Sequence, residues 1–95
     1  MIGGIVLNSE FYNITSTGTT DFVAFDVEGA REVVLMIDPS TNVDGSITNE
    51  PYDGSPRLTM DSDMTQPLTV HTRDPRLYWV SASGSPASLM VWVIR

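Results

Sequence analysis

Apolar and polar residues alternate with a period of two along most of the chain, the signature of strands that turn one face to a core. In residues 19–27, Val23, Phe25 and Val27 share one face, and Phe22, Ala24 and Asp26 the other. Residues 33–37 form a continuous aliphatic run between Gly29 and Asp38-Pro39, which predicts a strand buried on both faces. Glu28-Gly29-Ala30 is then the turn between these two strands. A helix over residues 30–37 competes with this reading, but it would last only about two turns and has no second apolar stripe beyond it.

Residues 38–54 hold Pro39, Gly45, Pro51 and Gly54 among few apolar side chains, and read as a long loop with a short edge strand at 46–49. Connections longer than about 12–15 residues are usually functional or disordered, so this loop is the expected place for a partner contact. Residues 57–60 and 67–72 alternate weakly and read as edge or half-exposed strands. The densest signal lies in residues 77–83 and 88–95, which flank Gly84-Ser85-Pro86-Ala87 and predict a C-terminal hairpin. Its last strand is apolar on both faces: Leu89, Val91 and Val93 oppose Met90, Trp92 and Ile94. Such a hairpin lies in the middle of a sandwich, or has one face closed by another subunit. Residues 5–7 and 11–14 add two short strands at the N-terminal end.

These spacings predict an all-β fold, a small antiparallel β-sandwich or jelly roll of about seven to eight short strands, in one domain over residues 1–95. The twenty serines and threonines suit solvated strand faces. A chain of 95 residues buries roughly 64 % of its unfolded surface, a marginal core that gains from association.

Composition then removes whole classes of function. The chain has no cysteine, so disulfides, Fe–S clusters and thiolate zinc sites are excluded. It has no lysine, and its five arginines stand against twelve acids for a net charge of −7. Nucleic acid and anionic membrane surfaces are disfavoured by that balance. The six-residue apolar run at 89–94 is far short of the roughly 20 that a spanning helix needs. No export signal is expected either, because the first residues lack a basic region and a long apolar stretch.

No motif carries catalysis. His71 is the single histidine and there is no Gly-x-Ser-x-Gly elbow, so His71 reads as an exposed or hydrogen-bonded strand residue. Asp61 and Asp63 would share a face if extended, as paired carboxylates for glycoside hydrolysis must, but they read as a solvated loop. Asp38, Ser40, Asn42 and Asp44 place oxygen atoms at alternate positions, as a calcium loop does; Val43 and Asn49 then break the motif, and a plain turn is expected. Asn13-Ile14-Thr15 is a formal glycosylation acceptor with no export signal to use it. No cofactor and no metal are expected.

The aromatic residues on alternating strands read as core. Tyr52, in the long loop, reads as a contact residue, and a sugar-stacking role for Tyr52 or Trp79 is the lectin reading. The short, Ser/Thr-rich β chain, with its C-terminal runs Leu77-Tyr78-Trp79-Val80-Ser81-Ala82-Ser83 and Ser88-Leu89-Met90-Val91-Trp92-Val93-Ile94-Arg95, resembles the small decoration or cement proteins of tailed-bacteriophage capsids. The likeness covers about half the chain. It implies a non-enzymatic protomer that trimerises, binds the major capsid protein and sits on the outer capsid surface of the virion. Candidate partner contacts are Ile2 and Ile5, whose segment with Gly3-Gly4 could reach a neighbouring subunit, the aromatic Phe11, Tyr12 and Tyr52, and the arginines Arg73 and Arg76, suited to bidentate interface pairing. The other readings are a small carbohydrate-binding β-sandwich and a phage tail or baseplate adaptor.

Overall fold

The computed structural model describes residues 9–64 and 66–95. The predicted N-terminal strand at 5–7, and the contact candidates Ile2 and Ile5, lie outside them. Eight strands are present among the described residues: β1 (Ser9–Ser16), β2 (Val23–Asp26), β3 (Glu32–Ile37), β4 (Gly45–Thr48), β5 (Leu58–Met60), β6 (Leu68–Val70), β7 (Arg76–Ser81) and β8 (Ala87–Ile94). They form two four-stranded antiparallel sheets, β1-β8-β3-β6 and β2-β7-β4-β5. The all-β expectation holds, and residues 32–37 are strand where a helix competed.

The pairing is nested. β1 pairs with β8, β2 with β7, β3 with β6 and β4 with β5, as in one long two-stranded ribbon closed at β4–β5. Two further ladders, β3–β8 and β4–β7, join the rolled ribbon into its sheets. This is the eight-stranded jelly-roll topology, which resolves the choice left open between that fold and a plainer sandwich. Only β4–β5 is local; every other pairing joins distant segments and must close a loop first. Refolding is therefore expected in the millisecond-to-second range, followed by stopped-flow tryptophan fluorescence; completion within microseconds would contradict the nested pairing.

Apart from β4 and β5, consecutive strands accordingly change sheets, and this corrects the C-terminal hairpin. β7 lies between β2 and β4, and β8 between β1 and β3, in opposite layers. Each run is dense in apolar residues because each is interior to its own sheet. The connection is an arch held by Ser81, whose hydroxyl donates to the Ser85 carbonyl (2.6 Å) and accepts from the Ser83 amide (3.2 Å). The buried Trp79 indole donates to the Ala87 carbonyl across the layers at 2.8 Å. The Glu28-Gly29-Ala30 turn also passes between layers, with Gly29 at φ 74° and the Ala30 amide bonded to the Val27 carbonyl.

The loop predicted at 38–54 is corrected too. The short strand expected at 46–49 is present as β4, but its residues are all buried and it is an interior strand between β7 and β5 instead of an edge. Gly45 there reads in the sequence as a loop marker. In the fold it makes room for Trp79: a Cβ at Gly45 would lie 2.2 Å from the indole Cη2. β5 and β6 are sheet edges, as expected. β3 turns Val33, Leu35 and Ile37 inward, but Val34 and Met36 stay half-buried, so it is not buried on both faces.

One core fills the space between the sheets. Val33, Leu35, Ile37, Leu89, Val91 and Val93 from the first sheet meet Phe25, Ile47, Met60, Leu77 and Trp79 from the second. Ser16, fully buried, pins the layers together at one end: its hydroxyl donates to the Asp21 carbonyl (2.6 Å) and accepts from the Ser81 amide (2.9 Å).

Candidate functional site: one uncovered sheet face

The two sheets differ in what covers their outward faces. On β2-β7-β4-β5, the outward Ser46, Thr48 and Val80 are only 6 %, 3 % and 1 % exposed, although Val80 lies outside the core cluster. The chain itself supplies the cover. The Thr48 hydroxyl donates to the Pro56 carbonyl (2.8 Å), and the Arg57 guanidinium sits 5.4 Å above the Phe22 ring while donating to the Tyr52 carbonyl (3.1 Å). Pro56 and Arg57 thus cover part of that face, while residues 49–54 stay exposed.

No described segment does the same for β1-β8-β3-β6. Register places Phe11, Trp92 and Val34 side by side on adjacent strands, and next to them Asn13, Met90 and Met36. Phe11 is 75 % exposed and stacks on Trp92, with ring centroids 5.1 Å apart and 13° between planes. Phe11, Val34, Met36, Pro67, Met90 and Trp92 line a shallow groove of about 340 Å³. None of these side chains is charged, although the chain carries −7. The enclosed indole N–H of Trp92 has no acceptor among the described residues, so this face also holds an unmet hydrogen-bond donor.

The residues singled out as contacts scatter over this geometry. Phe11 forms one wall of the groove. Tyr12 points to the opposite side of β1 against the core, and its hydroxyl donates to Glu10 Oε2 (2.7 Å), which raises its pKa. Tyr52 is exposed on the other side of the molecule, its hydroxyl bonded to Glu50 (2.5 Å) and its pKa raised by that bond. Arg73 and Arg76 are exposed, with Arg76 opposite Asp26 on β2. Arg95 pairs with Glu10 and, at 3.8 Å, with Asp26. Trp92, Met90, Val34 and Met36 were not singled out. The signal for Met90 and Trp92 is the two-sided apolar pattern of the last strand, and for Val34 and Met36 the continuous aliphatic run at 33–37.

Trp79 is fully enclosed, so the sugar-stacking role considered for it is overturned. His71 is exposed beside the Arg31 carbonyl (3.2 Å). Asp61 forms a turn, its carboxylate accepting from the Asp63 amide (2.8 Å). In the calcium-like segment, Asp38 accepts from the Ser40 amide and Asp44 from the Ser62 amide, so both carboxylates are engaged by backbone. No group of three or more histidines and carboxylates that could hold a metal ion occurs among the described residues.

The amide bonds have a consequence in acid. The Thr17 amide and hydroxyl hold the Asp21 carboxyl below its ordinary pKa, and the Ser40 amide does the same for Asp38. A depressed carboxyl pKa contributes stability that is fully present above the unfolded value of about 4, and lost as pH falls through the folded value. The Asp21→Asn, Asp38→Asn double variant is expected to show a flatter decline of melting temperature below about pH 4. An unchanged acid limb would remove this explanation.

The fold and the face together define a jelly roll with one apolar sheet face that the described residues leave uncovered. Comparison with known proteins adds no family to that description: no family model matches the chain, and no curated protein or solved structure is significantly similar to it.

Proposed function

We propose that the protein is a non-enzymatic structural protein that works by assembly, a capsid decoration protein that binds the outer capsid lattice of a virion as a homo-oligomer, with a trimer favoured. The observation that carries this reading is the apolar face of β1-β8-β3-β6, which the described residues leave uncovered, whereas Ser46, Thr48 and Val80 on the outward face of the other sheet are buried. Contiguous apolar surface on a small protein marks an interaction site or an aggregation hazard, and a closed symmetric oligomer removes the hazard. The capsid setting comes from the sequence resemblance. Jelly rolls serve in viral capsid and lectin domains alike, and fold by itself sets no function.

The test is sedimentation velocity over a micromolar concentration series, together with recovery of the protein on purified particles. The expected result is a mass well above 10.4 kDa and co-purification with capsids. A concentration-independent monomer that is absent from particles would end this reading.

A further inference from the structure

The uncovered face is small. Its apolar part spans three strands about 4.8 Å apart and about 20 Å of strand length, on the order of 300 Å². A standard stable interface takes about 800 Å² from each partner. Two copies apposed through this face alone would fall short of that, and would bring two charges of −7 together. An extended apolar segment fits the dimensions better.

The chain contains an apolar stretch outside the described residues. Residues 1–8 hold Met1, Ile2, Ile5, Val6 and Leu7 around Gly3-Gly4, without a charged side chain. They join β1 at Ser9, whose partner in the sheet edge is Ile94. To cover its own sheet, the segment would have to climb about 10 Å onto the outer face, which takes about three extended residues. Residues 6–8 would be used in that climb, leaving few apolar side chains for the groove. A segment arriving from a neighbour needs no such reversal. It also brings backbone carbonyls past the Phe11–Trp92 stack, where the Trp92 indole N–H has no acceptor among the described residues and the Phe11 ring is 75 % exposed.

We propose that residues 2–7 of one copy dock in the Phe11–Met36–Trp92 groove of a neighbouring copy, so that the oligomer is held together by exchanged segments. This rests on the assembly reading above and specifies its contact. Repeated around a rotation axis, such a head-to-tail contact closes into a ring.

The absence of native cysteine makes the test direct in the full chain. A tagged Ile5→Cys chain is mixed with a Met36→Cys chain of different size and mildly oxidised. The expected product is the mixed covalent dimer, in clear excess over either homodimer. A Met36→Cys homodimer as the main product would show two copies face to face, and overturns the proposal. An intrachain link in the Ile5→Cys, Met36→Cys double variant, with no mixed dimer from the single variants, would place the segment on its own sheet and also overturns it. Separately, Ile5→Asp is expected to weaken self-association about thirtyfold or more, as loss of a central contact does, with little change in melting temperature. If Ile5→Asp assembles like the native chain, the segment proposal fails while the assembly reading stands. A native chain that is monomeric at every concentration overturns both.

Discussion

Gly45→Ala is expected to lower stability by about 3 kcal/mol and the melting temperature by about 15 °C; among the described glycines it is the one where an added Cβ meets other atoms. The added methyl would sit 2.2, 2.4 and 2.8 Å from three carbons of the Trp79 ring, inside van der Waals contact. A flexible side chain would swing away. Trp79 cannot: it is fully enclosed, and its indole N–H is tied to the Ala87 carbonyl on the other sheet. The backbone of β4 is equally constrained, because it pairs on both edges, with β5 and β7. For a domain with about 5–15 kcal/mol in total, such a loss is a large fraction.

A double-variant cycle separates this cause from a general loss of glycine. Trp79→Leu alone should destabilise through lost packing, by about 3 kcal/mol. Gly45→Ala added to Trp79→Leu should then cost much less than Gly45→Ala alone, because the ring that it strikes is gone. Thermal and chemical melts of the four proteins read this directly. A Gly45→Ala melting point within a few degrees of the native chain would show that the Gly45–Trp79 approach does not limit this core.

Met90→Glu is expected to have the largest effect on association with almost none on the isolated fold. Met90 sits on the outward side of β8, between Asn13 and Met36, and is 37 % exposed in the single chain. A carboxylate there remains hydrated as long as the face is open. Once the face is covered, that charge must be buried among Phe11, Trp92 and Met36 with no cation among the groove-lining residues to meet it. An unpaired buried charge costs about 3–5 kcal/mol, equivalent to a weakening of association of more than about a hundredfold. The native chain and Met90→Glu should therefore share a melting temperature at concentrations where both are monomeric, and differ in mass at concentrations where the native chain assembles. Equal masses for the two at high concentration would mean that this face is not the contact.

The elements of the fold were legible wherever a strand carries its own apolar pattern. Val23, Phe25 and Val27 identify β2, and the aliphatic run at 33–37 identifies β3. Leu77 and Trp79 identify β7, and Leu89, Val91 and Val93 identify β8. β4 was expected at 46–49 as an edge strand, and its interior position was not legible, for a physical reason. Gly45-Ser46-Ile47-Thr48 contains one large apolar residue; its interior place comes from β5 and β7 on either side, and its burial from Trp79 on one face and Pro56 and Arg57 on the other. The C-terminal turn was read as a hairpin because turn-forming residues specify that the chain reverses, not whether it returns beside itself or across the core. Among the contact candidates, Phe11 lies on the uncovered face, whereas Tyr52 lies on the other side of the molecule.

The period-two pattern, the scarcity of reactive side chains and the two-faced apolar last strand are properties of short stretches, and they settle all-β structure and the need for a cover without reference to any other part of the chain. The nested pairing of β1 with β8 and β2 with β7, the seat of Trp79 against Gly45, and the gathering of Phe11, Val34, Met36, Pro67, Met90 and Trp92 into one groove depend on residues that lie dozens of positions apart. Register and layer order bring those residues together. Both are set by how side chains from the whole chain pack at once, and local pattern carries no information about them.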